Sequence, residues 1–502
     1  AVAWDQMDAW QLDVNGILQP VAGADLSDNA TTPNYGNENG VDNGEDAIEI
    51  TARLGAAMDE NAVLENDDFT GGDLFTDFAN GIAAVPHNLR FDEVGIIDLV
   101  ATLESGDYLD GGESVTSELL NVGRFYPANF RVTAPMLTPR PLFAPNTGGP
   151  FTYMGEQFSV MFTLTAYNAQ GQSAANVTKN YFGDFAKLTS VAASVAPEAS
   201  PPSGQLGFYA VENGGSASDV SHTTRLSAVL AGGPNPFDTD YQSEWDSGSV
   251  TLDGNLVLAR RTDQTPDGPF GPVQIAVRVR DTDGVVDSGR TVTEDIDACN
   301  PDCAMDPKHA ASANLIGTHE FRYGRIRLEN AYGSEIADLD AGNAPIGRDV
   351  LVRLVAEYFD GTDFVSNTDD NATTYDSVAL DVVPGSYTDD LDALEAAVTS
   401  MVTPGIVYRG ETMETQGQND VPMYLRAPGE GNAGTAVLEL DLGDLGLDFL
   451  TFDWRDAGEL EDVKELDGGN PADDDQDFPR ALIEFGTFRG NDRIINWQEL
   501  FE

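Results

Sequence analysis

The chain has 502 residues, with 85 acidic against 26 basic and a net charge of −59, so the clustered Lys and Arg needed to bind nucleic acid or an anionic membrane surface are missing. Hydrophobic residues make up 41% and aromatics 9%, enough for several cores, which excludes global disorder. Gly 51 and Pro 26, spread throughout, favour many turns over long helices.

The N-terminal AVAWDQMDAWQL lacks the basic segment and continuous apolar stretch of a signal peptide, and predicts a mature chain or one cut from a longer precursor. No window of about 20 apolar residues is present, which predicts no membrane insertion. Period-two alternation then dominates: AIEITARLG (47–55), EVGIIDLVATLESGDYL (93–109), QFSVMFTLTAYNAQG (157–171), PVQIAVRVRDTDGV (272–285), DVLVRLVAEYFDGTDFV (349–365) and TAVLELDLGDLGLDF (435–449). Bounded by Gly, Asp, Asn and Pro, these runs predict half-buried antiparallel strands. One segment, TDDLDALEAAVTSMV (388–402), predicts a helix, with acidic residues in its first turn and a stripe of Leu391, Leu394, Val398 and Met401.

A loose order recurs three times: paired strands, a polar middle and a strongly alternating closing strand. The predicted fold class is all-β, with tandem immunoglobulin-like antiparallel β-sandwich domains and at most one or two short helices. The expected divisions are 1–122, 123–315, 316–450 and a terminal piece at 451–502 that completes the last domain or docks to a partner.

The acidity has two readings. One is a surface suited to salty water, where repulsion is screened within a Debye length of about 8 Å or less. The other is calcium held by clustered carboxylates in Gly-containing turns. The best cluster is DTDGVVD, with Asp281, Asp283 and Asp287 around Gly284; Asp42, Asn43, Glu45 and Asp46, and Asp473, Asp474, Asp475 and Asp477, are weaker. Each also reads as an acidic hairpin turn facing water, the plainer of the two readings. Two cysteines, Cys299 and Cys303, have neither the CxxC redox spacing nor a zinc set, and fit a small-loop disulfide contributing roughly 2 kcal/mol; two free thiols are the alternative.

Sequence motifs for catalysis are lacking. His87, His222, His309 and His319 show no HExxH spacing and are expected at the surface or on strand edges, and no GxSxG or P-loop occurs. With 85 carboxylates, a pair at glycosidase separation arises by chance and carries no signal.

Several ordered stretches resemble one family. VGRFYPANFRVT, FTYMGEQFSVMFTLTAYNAQG and TKNYFGDFAKLT, then PDGPFGPVQIAVRVRDTDGV, FRYGRIRLENAYGSE and LVAEYFDGTDFVSNTDD, are similar to the C-terminal region of the MSHA pilus biogenesis protein MshQ. The ending FDWRDAG…FPRALIEFGTFRGNDRIINWQELF is similar to that family's ending, and the ordered matches run from about residue 90 onward. One departure is that the family tends to place a Cys after its Asn-Thr-Asp-Asp turn, where this chain has Asn371, Ala372 and Thr373. That implies loss of a family disulfide, with Cys299 and Cys303 as a local substitute.

The resemblance implies an extracellular or cell-surface protein of a Gram-negative bacterium; the acidity adds a marine or halophilic setting, and the lack of catalytic motifs a non-enzymatic role. Its expected place is at or near a type IV pilus tip, as an adhesin stalk or platform, with minor pilins, other surface proteins or further copies as partners. A self-assembling filament or surface-layer subunit, and the accessory region of a secreted carbohydrate-active enzyme, are the rival readings. Calcium is the one cofactor considered. The apolar terminus around the RGNDR turn reads as the last hairpin, with Trp497 in a core, or as a partner-binding surface of Phe488, Arg489, Arg493, Trp497 and Phe501.

Overall fold

In the computed structural model the described residues are 10–12, 18–20, 47–65, 67–71, 75, 78–79, 82–83, 88–104, 116–140, 151–171, 173–192, 201–212, 222–232, 235–238, 240–283, 315–335, 350–370, 372–375, 380–382, 386, 405–406, 423–425, 427–452 and 478–486. They are all-β: strands in mostly antiparallel sheets, joined by turns and three-residue 3₁₀ segments, with no helix of seven residues or more among the described residues. The expected helix at 388–402 lies outside them.

The alternation in Gln157–Tyr167 and Phe270–Arg280 does what period two dictates. Phe158, Val160, Phe162 and Leu164 face one way from the first strand, and Val273, Ile275, Val277 and Val279 meet them from the second. These strands belong to two facing sheets. One runs Asn129–Thr138, Gln157–Tyr167, Ser249–Leu258, Leu226–Ala228; the other runs Phe151–Tyr153, Leu315–Arg322, Phe270–Arg280, Gln205–Glu212, Ser190–Val191. Phe130, Tyr181, Phe208 and Trp245 fill the space between them, each large side chain stabilising by about 1.5–3 kcal/mol on burial. The outer strand pairs of the second sheet, Phe151–Tyr153 with Leu315–Arg322 and Ser190–Val191 with Gln205–Glu212, are parallel.

A second sandwich follows directly. Its sheets are Gly324–Leu328, Leu354–Phe359, Phe364–Ser366, and Ala331–Gly333, Arg480–Phe485, Gly434–Leu440, Leu380–Val382. The run 349–365, read as one alternating stretch, is divided. Val350–Val352 pairs with Met423–Leu425, and after Arg353 the chain pairs with Gly324–Leu328 instead, where Leu354, Val355, Ala356 and Glu357 are buried in succession and the alternation does not hold. Upstream, Ile48–Leu54, Gly95–Leu103 and Thr116–Phe125 form a three-stranded antiparallel sheet.

No linker separates the two sandwiches. Leu315–Arg322 ends in the first and Gly324–Leu328 begins in the second, with Tyr323 alone between them and 1% exposed.

Candidate functional site: a sealed ionic junction

Phe151–Tyr153 hydrogen-bonds as a strand of the first sandwich, yet Phe151 and Tyr153 pack in the core of the second beside Ile326, Leu354 and Leu450. The Tyr153 ring can lie there because residue 324 is glycine: a Cβ at Gly324 would sit 2.2 Å from Tyr153 Cδ1 and 2.8 Å from Leu450 Cδ2.

Around this shared strand the polar groups converge. Arg140 follows Asn129–Thr138 in a left-handed conformation (φ +46°) that a non-glycine residue adopts only when its surroundings hold it there. Its Nε donates to Glu156 Oε1 at 2.9 Å, one terminal nitrogen donates to Asp370 Oδ1 at 2.8 Å, and the other donates to Thr373 Oγ1 at 2.5 Å. The side chains of Arg140, Glu156 and Asp370 are all 0% exposed. Asp370 also accepts the Tyr153 hydroxyl at 2.8 Å and the backbone N–H groups of Ala372 and Thr373. Asn367 donates to the Tyr153 hydroxyl at 2.7 Å and accepts from Arg322 at 2.6 Å. Arg322 continues to Asp369 and Glu320, and its guanidinium and that of Arg140 lie 4.5 and 5.1 Å from the centre of the Phe151 ring.

Burial would discharge Arg140, but the carboxylates of Glu156 and Asp370 outweigh it and raise the guanidinium's pKa. The two acids differ. Burial also opposes the charge of Asp370, yet Arg140 and the Thr373 donors hold its pKa below the ordinary value. Glu156 has fewer donors, and burial pushes it up to about 7. Arg140 and Asp370 therefore form the firmly charged pair.

A second fastener lies alongside. Arg260 sits 4.2 Å from the centre of the Tyr323 ring and donates to the carbonyls of Gly324, Phe449 and Thr451. Burial among these neutral acceptors lowers its pKa. Deeper in the second sandwich, the cross-strand partners Arg325 and Glu357 meet at 2.8 Å, 4% and 6% exposed. In a chain of net charge −59, arginines are thus drawn inside, where a planar guanidinium satisfies several acceptors at once.

The first sandwich is tied to the upstream sheet through another buried acid. Glu93, 5% exposed, accepts the backbone N–H groups of Val94, Lys179 and Asn180 at 2.9, 2.5 and 3.0 Å. Asn180 exchanges two hydrogen bonds with the backbone of Val63, both 2.8 Å. Burial pushes Glu93 up to about 7.

The residues singled out in the sequence fall elsewhere. Asp281 is 0% exposed and accepts the Tyr181 hydroxyl and, at 2.7 Å, the N–H of Asp283; burial raises it to about 6. Asp283 pairs with Arg124 at 2.8 Å. This corner is a buried brace. The Tyr181 hydroxyl in turn accepts the N–H groups of Lys187 and Leu188, closing the loop that begins at TKNY. Asp287, Cys299, Cys303, Phe488, Arg489, Arg493, Trp497 and Phe501 lie outside the described residues, as do the acidic runs at 42–46 and 473–477.

Among the described residues, Glu65, Asp67 and Asp68 bring carboxylate oxygens within 4.8 Å of one another, although Glu65 already meets Lys179 at 2.5 Å. The surface or edge position expected of the histidines is corrected for two of them. His222 and His319 are 2% and 7% exposed, because each packs against an aromatic ring, Phe270 and Phe321. His319 Nε2 lies 2.8 Å from Thr152 Oγ1, and burial lowers its pKa to about 4, leaving it neutral. His87 and His309 lie outside the described residues.

Sequence reasoning missed Arg140, Glu156, Arg260 and Glu93. The one available signal was the Asn-Thr-Asp-Asp turn, noted for a missing cysteine and not for Asn367 and Asp370.

No curated protein and no solved structure matches the chain. Residues 93–306 match the third domain of DUF6701, and residues 322–500 match its fourth domain. Arg140, Tyr153 and Glu156 fall in the first of these segments, and Asn367, Asp370 and Thr373 in the second. The chain belongs to the DUF6701 family and carries that family's third and fourth domains in tandem, with the sealed ionic junction formed between them.

Proposed function

We propose that this chain is a non-enzymatic extracellular structural element, the stalk or platform of a surface adhesin held at or near a type IV pilus. The observation that carries the reading is the direct passage from Leu315–Arg322 through buried Tyr323 into Gly324–Leu328. A spacer that must hold a binding surface away from a cell needs such a connection, whereas tandem domains on flexible linkers reorient freely. The resemblance to MshQ supports the pilus setting, and the acidity suits a surface exposed to salty water.

The test is capture of the tagged full chain from a pilus preparation in high salt. Recovery of minor pilins is the expected result. Failure to recover them, together with release of reducing sugar from a glycan panel, would replace the reading with that of a secreted carbohydrate-active protein.

A second reading, a self-assembling filament or surface-layer subunit, is favoured by one specific feature. Thr116–Phe125 is the end strand of its sheet among the described residues, with residues 116–121 exposed and Leu119 and Leu120 at 61% and 53%. Exposed strand edges template further pairing. Concentration-dependent polymers of the purified chain, seen by negative stain, would establish it.

A further inference from the structure

We infer that the third and fourth domains are one cooperative folding unit, fastened by Arg140, and not two separately stable sandwiches. The inference holds whether or not the chain sits on a pilus.

Three independent features lead to it. The core of the fourth domain is incomplete without the third, since Phe151 and Tyr153, both 0% exposed, belong to a strand paired in the third domain's sheet. Parting the domains would open the cavity those two rings fill, and a void of aromatic size in a packed core is strongly destabilising.

The charges make the same demand. Arg140 and Glu156 come from the third domain and Asp370 and Thr373 from the fourth, and the three ionisable side chains are fully sealed. As the domains part, Asp370 loses Arg140 and Arg140 keeps Glu156 alone, and leaving a buried charge unpaired is far costlier than the net worth of the pair. Partial separation is therefore unfavourable: the junction is closed, or both faces are wet.

Chain continuity removes the remaining freedom. Tyr323 is the sole residue between two strands, and Arg260 holds the far side of it to Gly324, Phe449 and Thr451. Domains joined by a short polar interface ordinarily move relative to one another. Here the interface is a shared strand, a shared aromatic layer and an enclosed ion pair.

Native-state hydrogen exchange of the full chain in high salt tests this, with amides of Gln157–Tyr167 reporting the third domain and those of Gly434–Leu440 the fourth. In the wild type the slowest amides of both strands are expected to open at one shared rate, within about twofold. Arg140→Met should raise opening of Gly434–Leu440 by about a hundredfold, alone or together with the first strand. Arg140→Lys, which keeps the charge but gathers its donors on one nitrogen that does not span the acceptors reached by three guanidinium nitrogens, should give a smaller rise in the same place. Wild-type opening rates differing by about tenfold or more between the strands would overturn the inference even if the variants fail to fold. So would an Arg140→Met protein with both rates unchanged.

Discussion

Glu93 offers the most direct test of how the buried acids of this chain behave. Its carboxyl is 5% exposed, and burial raises its folded pKa from 4.5 to about 7 against the pull of three backbone N–H donors. A raised carboxyl pKa means that the folded state holds its proton where the unfolded state has lost it. Stability from this group is therefore full below the unfolded value and declines as pH rises through the folded one. At about 1.4 kcal/mol per pH unit, the interval from 4.5 to about 7 amounts to at most about 3 kcal/mol.

In Glu93→Gln the titration is gone. One amide oxygen must serve donors that two carboxylate oxygens served, so the variant starts weaker by about 1–3 kcal/mol. Urea unfolding at constant high salt, from about pH 5 to about pH 8, gives both curves. The advantage of the wild type over the variant should shrink by up to about 3 kcal/mol across that range, and the other buried acids cancel in the difference. Parallel curves, or an advantage that grows with pH, would refute the reasoning.

Tyr181→Phe removes the hydroxyl that serves the buried Asp281 carboxylate and the N–H groups of Lys187 and Leu188, and should cost about 2–3 kcal/mol in denaturant unfolding. A loss below about 0.5 kcal/mol would mean that the corner is not a brace. Asp281 is sealed and engaged, so any calcium dependence of melting, measured with and without EDTA in high salt, should follow Glu65, Asp67 and Asp68. Asp67→Asn is expected to abolish such a response, and an undiminished response would exclude that cluster.

The strands were legible because their physics is local. Alternation in a half-buried strand is imposed by the two faces of its own sheet, so QFSVMFTLTAY and QIAVRVR announce both the strand and the residues that point inward. Asp, Gly and Asn between runs mark where chains turn. In the run 349–365 the expected alternation gives way at 354–357, four consecutive buried residues. What it could not state was the switch of partner at Arg353, since backbone hydrogen-bond partners leave no periodicity of their own.

The junction was illegible for the opposite reason. Arg140 and Asp370 are 230 residues apart in the chain, and nothing adjacent to either marks it as buried. In a sequence this rich in carboxylates, local context gives each acid the same reading, a solvated turn residue. Asp281 is an example: DTDGVVD reads locally as an ion-binding turn or an acidic turn facing water, and in the fold Asp281 is an interior residue that accepts the Tyr181 hydroxyl. The amino-acid sequence by itself determined the all-β class, the inward faces of the strands and an anionic surface, because alternation and composition act over a few residues. Only tertiary structure decided which few of the charges are taken out of water, because removing a charge from water depends on partners that folding alone brings into reach.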